Sequence, residues 1–128
     1  MSSVVQLPAW RALEAHQREI ANTHMREMFS ADPQRFERFS IVFDDLIFDY
    51  SKNRITQKTL SLLRQLTEEA GVPQAIAAMF RGERINTTEE RPALHIALRN
   101  RSNRPIYVDG TDVMPQVNAV LHRMRRFS

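Results

Sequence analysis

Between Pro8 and Asn22 the residues Ala9, Trp10, Ala12, Leu13, Gln17 and Ile20 recur at helical spacing. Pro8 suits the opening turn, because the first amides of a helix have no partner within it. One amphipathic helix is the expectation, after a short lead over residues 1–7. Met25, Met28 and Phe29 predict a further turn or two, closed by Ser30 and Asp32-Pro33, since a proline disfavours helical geometry at the residue before it. Asp32 followed by Pro33 also reads as the cap of another short turn over QRFERF, with Phe36 and Phe39 facing inward.

At Phe39 the period changes. Phe39, Ile41 and Phe43 alternate with Ser40 and Val42, and Leu46, Phe48 and Tyr50 alternate with Ile47 and Asp49. With Asp44-Asp45 between the two runs, the pattern predicts a small β-hairpin near 39–51. A lone hairpin is marginal in water, so its apolar face must lie on helices or on other structure.

Thr56 then caps a helix whose buried stripe is Leu60, Leu63, Leu66 and Ala70, closed by Gly71 in a left-handed conformation. Pro73 restarts a helix that turns Ile76, Met79 and Phe80 inward before Gly82 ends it. In NTTEERPALHIALRN, from Asn86 to Asn100, Thr87 and Glu90 have the spacing of a capping box. Pro92 falls in the first turn, and Leu94, Ala97 and Leu98 line one side. NRSNRP is a polar loop, Ile106–Val108 a short extended piece and Asp109-Gly110 a turn. Asp112 caps a closing helix with Pro115 in its first turn, along which Val113, Val117, Val120, Leu121, Met124 and Phe127 recur. No stop signal precedes Ser128, so the chain is expected to be the opening part of a longer protein, cut inside a helix. The fold class predicted is mainly α with one small β-hairpin, in one segment over 1–128.

A chain of 128 residues, 42% hydrophobic, can bury one core but hardly two independent ones. Without cysteine, disulfides and thiolate chemistry are excluded and nothing argues for export. No apolar window is long enough to span a bilayer and MSSVVQLPAW lacks the form of a signal peptide, so a soluble cytoplasmic protein is expected. The net charge of +3 comes from 18 basic against 15 acidic residues, mostly interleaved. The last third differs: Arg99, Arg101, Arg104, Arg123, Arg125 and Arg126 meet only Asp109 and Asp112. An arginine-rich face of this kind is the basis of one alternative, a stand-alone helical interaction module for an acidic or nucleic-acid partner.

The glycines at 71, 82 and 110 are isolated, which excludes a phosphate-binding glycine loop. His16, His24, His95 and His122 lack the paired spacing of zinc ligands. His95 and Arg99 share a helical face and could bind a phosphate, although such a pair is more often structural. Asp44 and Asp45 point to opposite sides of a strand and read as turn residues, not as an acid and base couple. Asp49, Lys52 and Arg54 could form a small structural ion-pair network, and Met25, Met28 and Met79 read as core filling.

Three runs carry a resemblance: FDDLIFDYSKNRIT, AMFRGERINTTEERPALHIALRN and DVMPQVNAVLHRM. Together they resemble the N-terminal portion of the glucose-6-phosphate isomerase (phosphoglucose isomerase) family, over Trp10 to Phe127. Pro92 departs from the family pattern, which commonly has Ala there. The resemblance implies a much longer, homodimeric enzyme of glycolysis and gluconeogenesis that interconverts glucose 6-phosphate and fructose 6-phosphate without metal or organic cofactor. It implies ring opening aided by a histidine and a lysine, a glutamate that shuttles a proton through an enediol, an arginine that steadies charge and a Ser/Thr loop for the phosphate. All of these are implied to lie beyond Ser128. No catalytic, cofactor-binding or metal-ligating residue is therefore placed on this chain. The implied partners are the rest of the parent chain and a second copy, with neither membrane nor nucleic acid expected. Alone, the chain is expected to be catalytically silent and to self-associate or be marginally stable through uncovered apolar helix faces.

Overall fold

The computed structural model describes residues 3–127, so the first two residues of the lead and Ser128 lie outside the described residues. Contacts gather into two units, Met1–Ala70 and Gly71–Ser128.

In the first unit a 3₁₀ turn at Val4–Gln6 leads into α1 (Pro8–Ile20), with Pro8 in the first turn as predicted. The later helix α4 (Gln57–Glu69) packs against it, capped by Thr56 as predicted. The two run antiparallel. At one end the Glu69 carboxylate accepts from the Ala9 amide at 2.9 Å, satisfying an orphan donor where the helix dipole favours negative charge. Towards the other end, His16 Nε2 lies 2.7 Å from Thr59 Oγ1.

The inward stripes keep most of the predicted positions, with Trp10, Ala12 and Leu60 half-buried, and depart from them at a few. On α1 Ala9 and His16 are buried, with Leu13 and Ile20 half-buried, while Gln17 is exposed. On α4 Thr59 is buried and Leu62 and Leu66 are half-buried, while Leu63 and Ala70 are exposed. A histidine and a threonine can replace apolar residues in the seam because each satisfies the other. His16 Nδ1 also meets Glu19 at 3.1 Å, and Lys58 pairs with Glu19 at 2.7 Å.

α2 (Met25–Ala31) opens with a capping box made by His24 and Glu27 and buries Met28. α3 (Arg35–Arg38) follows, but the Asp32 side chain does not cap it. Asp32 instead ends α2 and pairs with Arg38 at 3.5 Å. Phe39 is buried, as expected, whereas Phe36 is 46% exposed. The predicted hairpin is present: β1 (Ser40–Phe43) pairs antiparallel with β2 (Leu46–Asp49) in the register Ile41↔Phe48, Val42↔Ile47 and Phe43↔Leu46. Asp44 sits at φ 49°, a left-handed geometry that a short polar side chain tolerates.

In the second unit Gly71 at φ 74° introduces α5 (Val72–Phe80), with Pro73 in its first turn. Met79 is half-buried, but Ile76 and Phe80 are exposed, against expectation. The helix predicted from Thr87 is also corrected. Asn86 and Arg91 exchange backbone hydrogen bonds at 3.1 and 3.2 Å, and Asn86 Oδ1 accepts from the Thr88 and Glu89 amides. That side-chain turn competes with a helix start, and Pro92 disfavours helical geometry at Arg91. Only α6 (His95–Leu98) forms, with Ala97 buried and Leu98 exposed.

The extended piece and turn after it form a second small sheet, β3 (Tyr107–Val108) against β4 (Thr111–Asp112). Asp112 Oδ1 accepts from Met114 N at 3.0 Å and Ile106 N at 3.2 Å, anchoring the start of α7 (Met114–Phe127). Met114 is buried, while Val120, Leu121, Met124 and Phe127 are exposed. Among the described residues no helix is long and apolar enough to cross a membrane.

Candidate functional site

Two local constellations gather the residues singled out in the sequence. The first, in the unit ending at Ala70, is the loop that follows β2 and reads DYSKN from Asp49 to Asn53. Its centre is a residue that the hydrophobic pattern did not single out. Arg35, on α3, is only 3% exposed. Its Nε donates to the Ser51 carbonyl at 2.8 Å, and Nη2 donates to the carbonyls of Asn53 at 2.8 Å and Ile55 at 2.9 Å. The guanidinium lies 4.6 Å from the Phe39 ring centroid and 5.6 Å from that of Phe29. Tyr50 meets Phe39 edge-on at 5.8 Å and stacks on Phe48 at 5.5 Å. A planar fork with several donors suits a set of diverging carbonyls, which a point-charge ammonium would not. One signal could have found it: Arg35 stands four residues before Phe39 and so shares its face of the turn.

Asp49 holds the loop from the other side. Its Oδ1 accepts from the Ser51 amide at 2.9 Å and the Ser51 hydroxyl at 2.6 Å, and its Oδ2 accepts from Lys52. The Lys52 ammonium first, then the Ser51 hydroxyl and amide, hold the Asp49 carboxyl down at about 2 against an ordinary 3.8. Because the folded value is depressed, the stability this carboxylate contributes is complete above pH 3.8 and is lost as pH falls through about 2. A carboxyl-carbon NMR titration is expected to give a midpoint near 2 for Asp49, moving up towards 3.8 in Lys52→Met. An unchanged midpoint in the variant would remove Lys52 as the cause.

Arg54 does not join this network, contrary to the ion-pair reading. Its Nη2 donates to the carbonyls of Ile20 and Thr23 at 3.3 Å and to that of Ala21, at the C-terminal end of α1. The helix dipole favours a cation at that end.

The second constellation, in the unit from Gly71, is an open cleft of about 890 Å³. His95 and Arg99 line it together, as their spacing predicts, with Arg101, Ser102 and Arg104 from the following loop and Met79, Phe80 and Ile106 as apolar walls. Both His95 and Arg99 are exposed. Asn100 is engaged by the loop itself, accepting from Ser102 Oγ at 2.7 Å and donating to the Arg104 carbonyl at 2.8 Å. The arginines of the last third are divided: Arg123 and Arg125 line a separate shallow surface with Leu121, Met124 and Phe127.

The Ser51 hydroxyl meets the Asp49 carboxylate, but Ser51 is fully buried and so closed to a substrate. Asp44 and Asp45 occupy the turn between β1 and β2, His24 caps α2 and His16 is held in the α1–α4 seam. Among the described residues, no group of three or more His, Cys, Asp or Glu is placed to hold a metal ion. No buried side-chain nitrogen or oxygen among them lacks a hydrogen-bond partner.

The family model of phosphoglucose isomerase matches residues 49–128, from Asp49 of the DYSKN loop onward. The chain belongs to the phosphoglucose isomerase family. Similar proteins include a glucose-6-phosphate isomerase of Methylococcus capsulatus, 64% identical over all 128 residues of this chain. Glucose-6-phosphate isomerase 1 of Chromobacterium violaceum is 57% identical and that of Neisseria gonorrhoeae 56% identical, again over the whole chain. The chain spans 23% of the length of each of these family members.

Proposed function

We propose that this chain is the front part of an aldose-ketose isomerase that interconverts glucose 6-phosphate and fructose 6-phosphate, and that it contributes scaffold and no catalytic residue. The observation that carries the proposal is the pairing of 64% identity across the whole chain with only 23% of the relative's length. The geometry supports the scaffold role. The Asp49 carboxylate of the DYSKN loop accepts from the Ser51 amide, and the buried Arg35 holds three carbonyls of that loop and the residues after it. A homodimer in the cytoplasm, serving glycolysis and gluconeogenesis without metal or organic cofactor, is the setting that family membership suggests. The substrate's phosphate would be held by segments of the parent beyond Ser128.

A coupled assay following glucose 6-phosphate formed from fructose 6-phosphate tests the reading. The full-length parent is expected to turn over and the 128-residue chain alone is expected to give only the blank rate. Turnover by the chain alone would sink the scaffold role, and an inert parent would sink the activity. The rival, a stand-alone module binding nucleic acid through an arginine face, requires a salt-dependent mobility shift.

A further inference from the structure

The β1–β2 hairpin is apolar on both faces and covered on neither. Its pairing puts Ile41 and Phe48 with Phe43 and Leu46 on one face, and Val42 with Ile47 on the other. All six side chains are between 55% and 70% exposed. An antiparallel ribbon with one wet face alternates apolar and polar residues, whereas strands buried on both sides read as continuous apolar runs. Here the runs are Ile41-Val42-Phe43 and Leu46-Ile47-Phe48, and the charges are confined to Asp44 and Asp45 at the tip and Asp49 at the base. A free-standing ribbon is also normally guarded by charges or proline along its strands, and this one carries none between Ile41 and Phe43 or between Leu46 and Phe48.

We propose that the hairpin is an internal element of the parent fold, with chain from beyond Ser128 closing over both of its faces. This rests on reading the chain as the front part of a longer isomerase. Two observations select that occupant over a second copy. A second copy that seats its own hairpin on this one covers one face of the ribbon and leaves the other in water. The relatives, of which this chain makes up 23%, have more than enough further chain to enclose both sides. The acidic tip at Asp44-Asp45 is the part left to reach solvent.

Thiol labelling of the full-length parent tests this. Val42→Cys probes one face and Phe43→Cys the other, with the unsubstituted parent as blank and a maleimide as the probe. Each thiol is expected to react about 100-fold more slowly in the native parent than after unfolding, because only opened molecules expose it. The rate is expected to stay the same when the protein is diluted below the concentration at which copies associate. Fast labelling at either position overturns two-sided cover, and protection that vanishes on dilution assigns the cover to a second copy and overturns the occupant.

Should either variant fail to fold, amide exchange of the unsubstituted parent over residues 41–48 decides the same question. Slow exchange supports enclosure and exchange as fast as in a free peptide overturns it. Isomerase turnover is read on the same samples. An active parent with a reactive hairpin sinks the enclosure alone, and an inert parent with a protected hairpin sinks only the proposed activity.

Discussion

Arg35→Ala is expected to cost the unit ending at Ala70 roughly 3 kcal/mol, in a domain whose whole stability is on the order of 5–15 kcal/mol. The guanidinium is buried and hydrogen-bonded to the carbonyls of Ser51, Asn53 and Ile55, so truncation removes three bonds at once, and the Asn53 carbonyl keeps the Ile55 amide. Bonds from a charged donor are worth about 1.5–3 kcal/mol each, but the carbonyls sit on a loop that water can reach once the side chain has gone, which holds the total below their sum. The lost volume between Phe29 and Phe39 adds a cavity term. Arg35→Lys should fall between wild type and alanine, since one ammonium keeps the charge but cannot fork towards three carbonyls. Urea unfolding gives the magnitude, and amide exchange over residues 49–56 places it. A loss under about 1 kcal/mol, or an effect spread evenly over α1 and α4, would show that the loop is held by something else.

What was legible in the sequence follows from which signals act alone. Pro8, Thr56, Gly71 and Pro73 each fix a helix boundary by local backbone chemistry, and all four boundaries lie where they were predicted. The hairpin was legible because Asp44-Asp45 divides two short apolar runs, Ile41–Phe43 and Leu46–Phe48, and its turn is on that pair. Thr87 and Glu90 misled because their capping signature competes with the Asn86 side chain for the same amides, and Pro92 tips the balance against a helix there. The seam of α1 was misread at Gln17 because the helical spacing of Trp10, Leu13 and Ile20 runs through it, whereas His16 turns inward where Thr59 can satisfy it.

The two constellations were legible to different depths. The runs FDDLIFDYSKNRIT and AMFRGERINTTEERPALHIALRN pointed to the family, and the match from residue 49 onward bears that out. Spacing alone also placed His95 and Arg99 at one cleft. The role of the DYSKN loop was not legible, because Arg35 reaches it from 16 to 20 residues away and its partners are backbone carbonyls, which leave no mark on side-chain identity. Ile76 and Phe80 mark another gap: periodicity turned them inward, and both are exposed.

Gly82→Ala is expected to be the most damaging of the three possible glycine-to-alanine changes, and the other two serve as its controls. All three glycines have left-handed φ, at 74°, 76° and 78° for Gly71, Gly82 and Gly110, so each alanine meets a similar conformational penalty of about 1 kcal/mol. Their surroundings differ. A Cβ at Gly110 would meet nothing within 4 Å, and one at Gly71 would meet only the end of the Gln74 side chain at 3.9 Å. At Gly82 it would lie 2.2 Å from the Tyr107 carbonyl oxygen and 3.4 Å from Val108 Cγ2. That oxygen is backbone at the start of β3, so it cannot swing aside as a side chain would, and either the end of α5 or the β3–β4 pair has to shift. Overpacking of this kind adds roughly 1–3 kcal/mol, giving Gly82→Ala a total near 3 kcal/mol against about 1 for each control. Parallel urea titrations of the three variants decide it: equal losses would mean that the approach of Tyr107 to Gly82 is not kept in solution. A larger loss at Gly82 alone would give the glycine of AMFRGERIN a steric reason independent of any chemistry, consistent with the proposed scaffold role.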